Sequence, residues 1–166
     1  YVTVFRGTPM MVQAMIIYYG LVGVFKWNPV QAGLVIVSIN TGAYLTEVIR
    51  DGIESVDNGQ MEAARSLGFS YFESMLSIVF PQAIKNSMAS IGNEFVINIK
   101  DTSVLSVIQV MDLFFIIDLI NGKLSNQDSI FIAAIIYLIL TYSISKLLGF
   151  VEKKMNLVTK PLPSSN

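Results

Sequence analysis

The chain alternates long apolar runs with short charged breaks, and the runs have the length of membrane-crossing helices. Gly7 to Phe25 carries no charge, about 19 residues against the roughly 20 that a helix needs to cross a bilayer. Arg6 before it and Lys26-Trp27 after it have the character of interfacial anchors. Trp27 to Thr46 is a second uncharged run, opening at Asn28-Pro29 and holding Gly33, Gly42 and Ala43, small residues that let helices approach closely in lipid. A third run, from about Asn86 to Thr102, is interrupted by Glu94, Lys100 and Asp101. A fourth, Ser129 to Ser145, is aliphatic and is followed by Lys146, Lys153 and Lys154. The pattern predicts an all-α, polytopic transmembrane helical bundle with about four spans.

One long polar island separates the second run from the third. Asp57 or Asn58 can cap a short helix there by accepting a backbone N–H bond at its first turn. Gly68 can end that helix in the left-handed conformation, which glycine adopts without steric penalty. Ser70 and Glu73 have capping-box spacing for a second helix, which Pro81 interrupts or kinks. Between them, Glu62 and Arg65 give one face charge and Ala63-Ala64 leave room for another backbone. A helix–Gly–helix elbow of this kind, at about 51–73, suits docking into a groove on a soluble partner.

The stretch from Ser103 to Ile120 is apolar enough to be another span, but cation parity argues against it. With the elbow in the cytoplasm, Arg6, Arg50, Arg65, Lys85, Lys146, Lys153, Lys154 and Lys160 lie inside, Lys26 and Lys123 outside, and Lys100 in the membrane. Eight against two obeys the positive-inside rule; a further crossing would move four of those lysines outside and bury Asp112 and Asp118. The stretch is therefore expected as an apolar helical segment packed at the outer surface, with the C-terminus cytoplasmic.

Composition narrows the chemistry. The 166 residues are 53% hydrophobic and 14% charged, against about 25% charged in soluble domains, which places the protein in a membrane. A net charge of −1 gives no footprint for nucleic acid. There is no cysteine, which excludes disulfides and thiolate chemistry, and no histidine, which excludes Ser-His-Asp catalysis and the H-E-x-x-H zinc motif. The chain starts Tyr1-Val2 without a methionine, so a fragment lacking an N-terminal part is expected.

Charges inside a span cost about 2.5–3.5 kcal/mol each on insertion scales and ask for a partner or a function. Glu94, Asn98 and Asp101 fall at i, i+4 and i+7 on one helix face, with Ser87 and Ser90 close to that stripe. Lys100 lies about 100° round the helix from Asp101 and cannot simply neutralise it. Asn40, Tyr44 and Glu47 repeat the pattern on the second span. Two such stripes face to face would line a wet cavity able to hold an ammonium group or a cationic side chain. The plainer alternative is that these groups satisfy one another as interhelical glue. Glu47 and Asp51 read as structural pairs for Arg50, and Gln13 as either cavity lining or glue.

The elbow also carries a resemblance. Glu62-Ala63-Ala64, three residues, Gly68, nine residues and Ile78-Val79-Phe80-Pro81 resemble the cytoplasmic coupling motif of ABC importer permeases, with Phe80 where leucine is usual. Phe5-Arg6-Gly7-Thr8-Pro9 with Val12-Gln13, Asn40-Thr41-Gly42-Ala43-Tyr44, Gly92-Asn93-Glu94-Phe95 and Lys100-Asp101-Thr102-Ser103 are similar to the polar amino-acid branch serving histidine, arginine, glutamine and glutamate uptake. The resemblance implies five spans in the full subunit, residues 1–158 as one permease domain, and 159–166 as a disordered tail. It implies a cell-membrane subunit that moves polar or charged amino acids without being an enzyme. ATP and Mg would sit on separate ATPase subunits, since no G-x-x-x-x-G-K-[ST] loop is present. A second permease subunit and an extracellular substrate-binding protein, or a fused binding domain, complete the implied assembly. Asn40, Tyr44, Glu94, Asn98 and Asp101 are then the substrate-binding candidates, and Glu62, Ala63, Ala64, Arg65, Gly68 and Pro81 the ATPase-coupling ones. An ion-coupled secondary transporter using Glu94 and Asp101 is the alternative. An enzyme with paired carboxylates ranks below it, because those two lie about 10.5 Å apart along a helix.

Overall fold

The computed structural model describes residues 1–124 and 128–157, and among these every regular element is helical. In order they are α1 (Val2–Arg6), α2 (Met10–Phe25), α3 (Pro29–Glu54), α4 (Asn58–Ser66), α5 (Tyr71–Ser74), a π-helical turn at Met75–Val79, α6 (Phe80–Asp101), a 3₁₀ stretch at Thr102–Ile108, α7 (Leu113–Leu124) and α8 (Asp128–Leu157). The expected tail at 159–166 lies outside the described residues.

Two compact units form, one from Tyr1–Thr46 with Glu94–Ser143, the other from Glu47–Asn93 with the described residues from Ile144 on. The first is built on Ala14, Ala32, Ile36, Leu105 and Ile108, all buried, with Met10, Tyr18, Trp27 and Val110 packed around them. Small residues on α2 and α3 admit the 3₁₀ stretch at close range, and a methyl at Gly33 would lie 3.1 Å from Leu105 Cδ1.

Pro29–Glu54 and Asp128–Lys154 are long and apolar enough to cross a membrane. Tyr71–Ile108 with Leu113–Lys123 makes a third candidate, bent by 52°. The first apolar run does not form one continuous helix. Pro9 lacks an amide hydrogen and disfavours helix at Thr8, so α1 stops at Arg6 and α2 starts at Met10, leaving a shorter apolar helix. Thr8 Oγ1 donates back to the Val4 carbonyl at 2.9 Å. The stretch from Ser103 to Ile120 is helical only in part. A 3₁₀ turn ends at Gln109, which is left-handed at φ 67°, and Asp112 then caps α7 by accepting the Phe115 N–H at 2.8 Å.

In the second unit α3 and α6 cross at their smallest residues. Ser87 Oγ donates to the Val48 carbonyl at 3.0 Å, and Asn86 Nδ2 donates to Ser55 Oγ at 2.9 Å. Gly52 is what permits that approach: a Cβ there would sit 1.9 Å from Ser87 Oγ and 2.7 Å from the Ala83 carbonyl. Ser87, placed by its spacing near the polar stripe, is thus buried in this crossing instead. Gly52→Ala is expected to cost about 1–3 kcal/mol by overpacking, because the obstructing Ala83 carbonyl cannot rotate away. A thermal melt of the purified variant checks this, and an unchanged midpoint would refute the close crossing.

Candidate functional site

Three amide side chains, those of Gln13, Asn40 and Asn98, take part in the polar links of the first unit, one joining α2 to α3 and one joining α3 to α6. Gln13 on α2 is almost fully buried, and its Nε2 lies 2.8 Å from each of three acceptors, the Phe5 carbonyl, the Thr8 carbonyl and Thr8 Oγ1. Its Oε1 accepts from Asn40 Nδ2 on α3 at 3.0 Å. Further along α3, Thr41 Oγ1 donates to Asn98 Oδ1 on α6 at 2.9 Å, and Asn98 Nδ2 donates to the Glu94 backbone carbonyl at 3.0 Å. The two spans that carry the i, i+4, i+7 patterns do meet, but Thr41 makes the link.

Charge enters from α1. The Arg6 guanidinium lies 5.5 Å from the centre of the Tyr44 ring, a cation–π distance. Arg6 and Asp101 are the charged groups acting on Glu94. The short α1 is held against α3 by the Tyr1 hydroxyl, which donates to the Ile39 carbonyl, and by Tyr1–Phe5 ring contact. Arg6, expected as an interfacial anchor, therefore belongs with Tyr44 and Glu94. Hydropathy could not place it there, because the break at Gly7-Thr8-Pro9 turns it back. Glu94 and Asn98 are half-buried, and Asp101 and Lys100 are exposed. Glu47 pairs with Arg50 at 3.2 Å, one turn apart on the same helix.

The elbow of the second unit forms as its sequence dictates. Asp57 Oδ1 accepts the Gly59 N–H at 2.7 Å and caps α4. At the other end Gly68 has φ +92°, with its N–H bonded to the Arg65 carbonyl and the Phe69 N–H to the Ala64 carbonyl, the paired closure of a Schellman motif. Ser70 Oγ accepts the Glu73 N–H, and Glu73 Oε2 accepts the Ser70 N–H at 2.8 Å, a complete capping box. Bonding to the Ser70 side chain, and then to its backbone, holds the exposed Glu73 carboxyl below the usual carboxylate range.

Pro81 is met by a π-helical turn rather than a sharp break. The wider turn at Met75–Val79 removes the clash that a proline ring makes with the carbonyl four residues back, and Gln82 Nε2 donates to the Ile78 carbonyl at 2.9 Å. Glu62, Ala63 and Arg65 face out, while Ala64 is buried. The apolar tip was not singled out by sequence: Leu67 is 79% exposed and Phe72 69%, with Phe69 and Tyr71 beside them. Large apolar residues are thus held outward on a capped, polar elbow.

A helical membrane protein with a polar cluster inside one unit and an apolar-tipped elbow on the other has the parts of a transport subunit that is driven by a partner. Comparison with known proteins gives the same class. Residues 1–157 match the family described as binding-protein-dependent transport system inner membrane component. A Bacillus subtilis (strain 168) protein named as a probable glutamine ABC transporter permease, GlnM, is 38% identical over 157 residues, covering 93% of this chain and 73% of that one. GlnP of Rickettsia felis, named for a glutamine transport system permease, is 41% identical over 159 residues, covering 93% and 72%. Among solved structures, a chain from "Crystal structure of an amino acid ABC transporter with histidines" superposes with a TM-score of 0.85 at 41% identity, covering 93% of this chain and 73% of that one. The chain belongs to this family of transport-system membrane components and is an ABC importer permease.

Proposed function

We propose that this chain carries polar or charged amino acids across the cytoplasmic membrane through the cluster of Gln13, Asn40, Tyr44, Glu94, Asn98 and Asp101. The observation that carries the reading is the hydrogen bonding of α2 to α3 and of α3 to α6 through amide side chains, with the Arg6 guanidinium over the Tyr44 ring of α3 and within electrostatic reach of Glu94 on α6. A zwitterion needs both signs, and here both are present. The relatives named for glutamine and the solved amino-acid transporter support that substrate class. They also remove the ground for an ion-coupled transporter, which leaves the elbow without a role.

ATP and Mg belong to partner ATPase subunits, whose groove takes the elbow from Glu62 to Phe72. A second permease subunit and an extracellular binding protein complete the assembly. The test is uptake of labelled arginine, glutamine and glutamate into proteoliposomes holding the whole transporter. Uptake requires ATP and falls at least tenfold in Glu94→Gln; ATP-independent uptake or an unaffected variant would overturn the assignment.

Orientation follows from the cations. Cysteines placed at Met61 and Lys153 are expected to react only with reagent on the cytoplasmic side, and one at Lys123 only with reagent outside, on a background free of native cysteine. Outside labelling at Lys153 would mean that the Ser103–Ile120 region crosses the membrane.

A further inference from the structure

We propose that Gln13 is a positioning residue that fixes Asn40 as a hydrogen-bond acceptor, so that this wall of the site selects ligands bringing N–H donors. The inference rests on the amino-acid site proposed above and adds a rule for its specificity. A backbone carbonyl can only accept. The Phe5 and Thr8 carbonyls both lie 2.8 Å from the same end of the Gln13 amide, so that end is the NH₂ group. The opposite end is then the carbonyl Oε1, and it faces Asn40 at 3.0 Å. Asn40 must answer with its own NH₂, which turns its carbonyl Oδ1 away from Gln13. Two backbone carbonyls at the α1–α2 break thus set the polarity of a side chain on α3.

The arrangement is costly to reverse. Flipping Asn40 alone would bring Oδ1 against Gln13 Oε1, acceptor to acceptor. Flipping both amides would point Gln13 Oε1 at two carbonyls, and Gln13 is only 6% exposed. In the proposed site Glu94 and Asp101 are acceptors when ionised and Arg6 is a donor, and Asn40 Oδ1 adds an acceptor of fixed direction, which favours an ammonium, guanidinium or amide N–H against it. A ligand carboxylate set against Asn40 Oδ1 would meet an acceptor without a proton to share. Sites that use fixed hydrogen-bond polarity discriminate strongly, because the wrong group leaves buried partners unpaired.

Equilibrium dialysis of labelled L-glutamine and L-glutamate against the purified permease–ATPase complex, without binding protein, tests this. The two probes have nearly the same shape and differ in whether the side-chain end donates. The complex is expected to bind L-glutamine at least tenfold more tightly than L-glutamate. In Gln13→Met, of similar volume but unable to hold the amide, Asn40 is free to rotate and the ratio falls at least fivefold. Gln13→Asn keeps an amide but draws it back by one methylene from Asn40, which it met at 3.0 Å, and the same fall is expected. Equal affinity for both probes in the native complex, or an unchanged ratio in Gln13→Met, overturns the proposal. If Gln13→Met does not insert, Gln13→Asn decides by the same ratio. Failure of both to insert also overturns it, since Gln13 would then be holding the α1–α2 break and nothing more. A failure of the site itself looks different: neither probe binds, and Glu94→Gln changes nothing.

Discussion

Gly68→Val is expected to abolish ATP-driven uptake while leaving the protein inserted in the membrane. Gly68 sits at φ +92°, where a β-branched residue pays of order 1–3 kcal/mol, yet nothing lies within 4 Å of the position a Cβ would take. The penalty is therefore conformational and local. It acts on the closure in which the Gly68 and Phe69 N–H groups bond to Arg65 and Ala64, and that closure sets the angle between α4 and α5. With the angle lost, Leu67 and Phe72 no longer present one tip to the groove proposed on the ATPase, while the spans on either side keep their packing. Asparagine tolerates the left-handed region better than other side chains, so Gly68→Asn should keep most of the activity that Val loses. Uptake and ATPase activity of the two variants in proteoliposomes measure this. Full uptake by Gly68→Val would show that the elbow angle does not couple the subunits. Equal loss in both variants would place the cause in the bare removal of glycine.

The elbow was almost wholly legible in the sequence because its determinants are local. Asp57, Gly68, Ser70 and Glu73 each act on backbone groups within a few residues of themselves, and each bond is found where its spacing puts it. The spans were legible as far as hydropathy reaches, which includes α3 and α8. The first run failed as a single helix because Gly7-Thr8-Pro9 outweighs the apolar composition around it. The arrangement of the candidate residues was half legible. Helical period places Glu94 and Asn98 on one face, but it cannot say which partner each group takes across a gap. Gln13 took Asn40, Thr41 took Asn98, and Arg6 reached Tyr44, all through contacts far apart in sequence. Exposure at Leu67 and Phe72 was likewise invisible, since composition does not say which apolar side chains the elbow leaves outside.

Glu94→Gln should lower uptake of cationic amino acids tenfold or more, equivalent to about 1.4 kcal/mol of lost interaction. Gln keeps the shape of the side chain and most of its hydrogen bonding while removing the charge. The scaffold should survive, because Asn98 bonds to the Glu94 backbone carbonyl and Thr41 to Asn98, so neither link involves the carboxylate. What changes is the balance of charge around the site. Arg6 and Asp101 remain, and Glu94 no longer answers a ligand's positive group. The substrate panel resolves which group that is. Loss confined to arginine assigns Glu94 to the cationic side chain, whereas equal loss for arginine, glutamine and glutamate assigns it to the α-ammonium that all three share. ATPase activity measured without binding protein should be unaltered in either case. Leu138→Val on α8, where the side chain is 67% exposed, is the control and should leave uptake within about twofold, as expected for a surface substitution. Unchanged arginine uptake in Glu94→Gln would remove Glu94 from the site. A variant that fails to insert would make its carboxylate a structural partner of Arg6 instead.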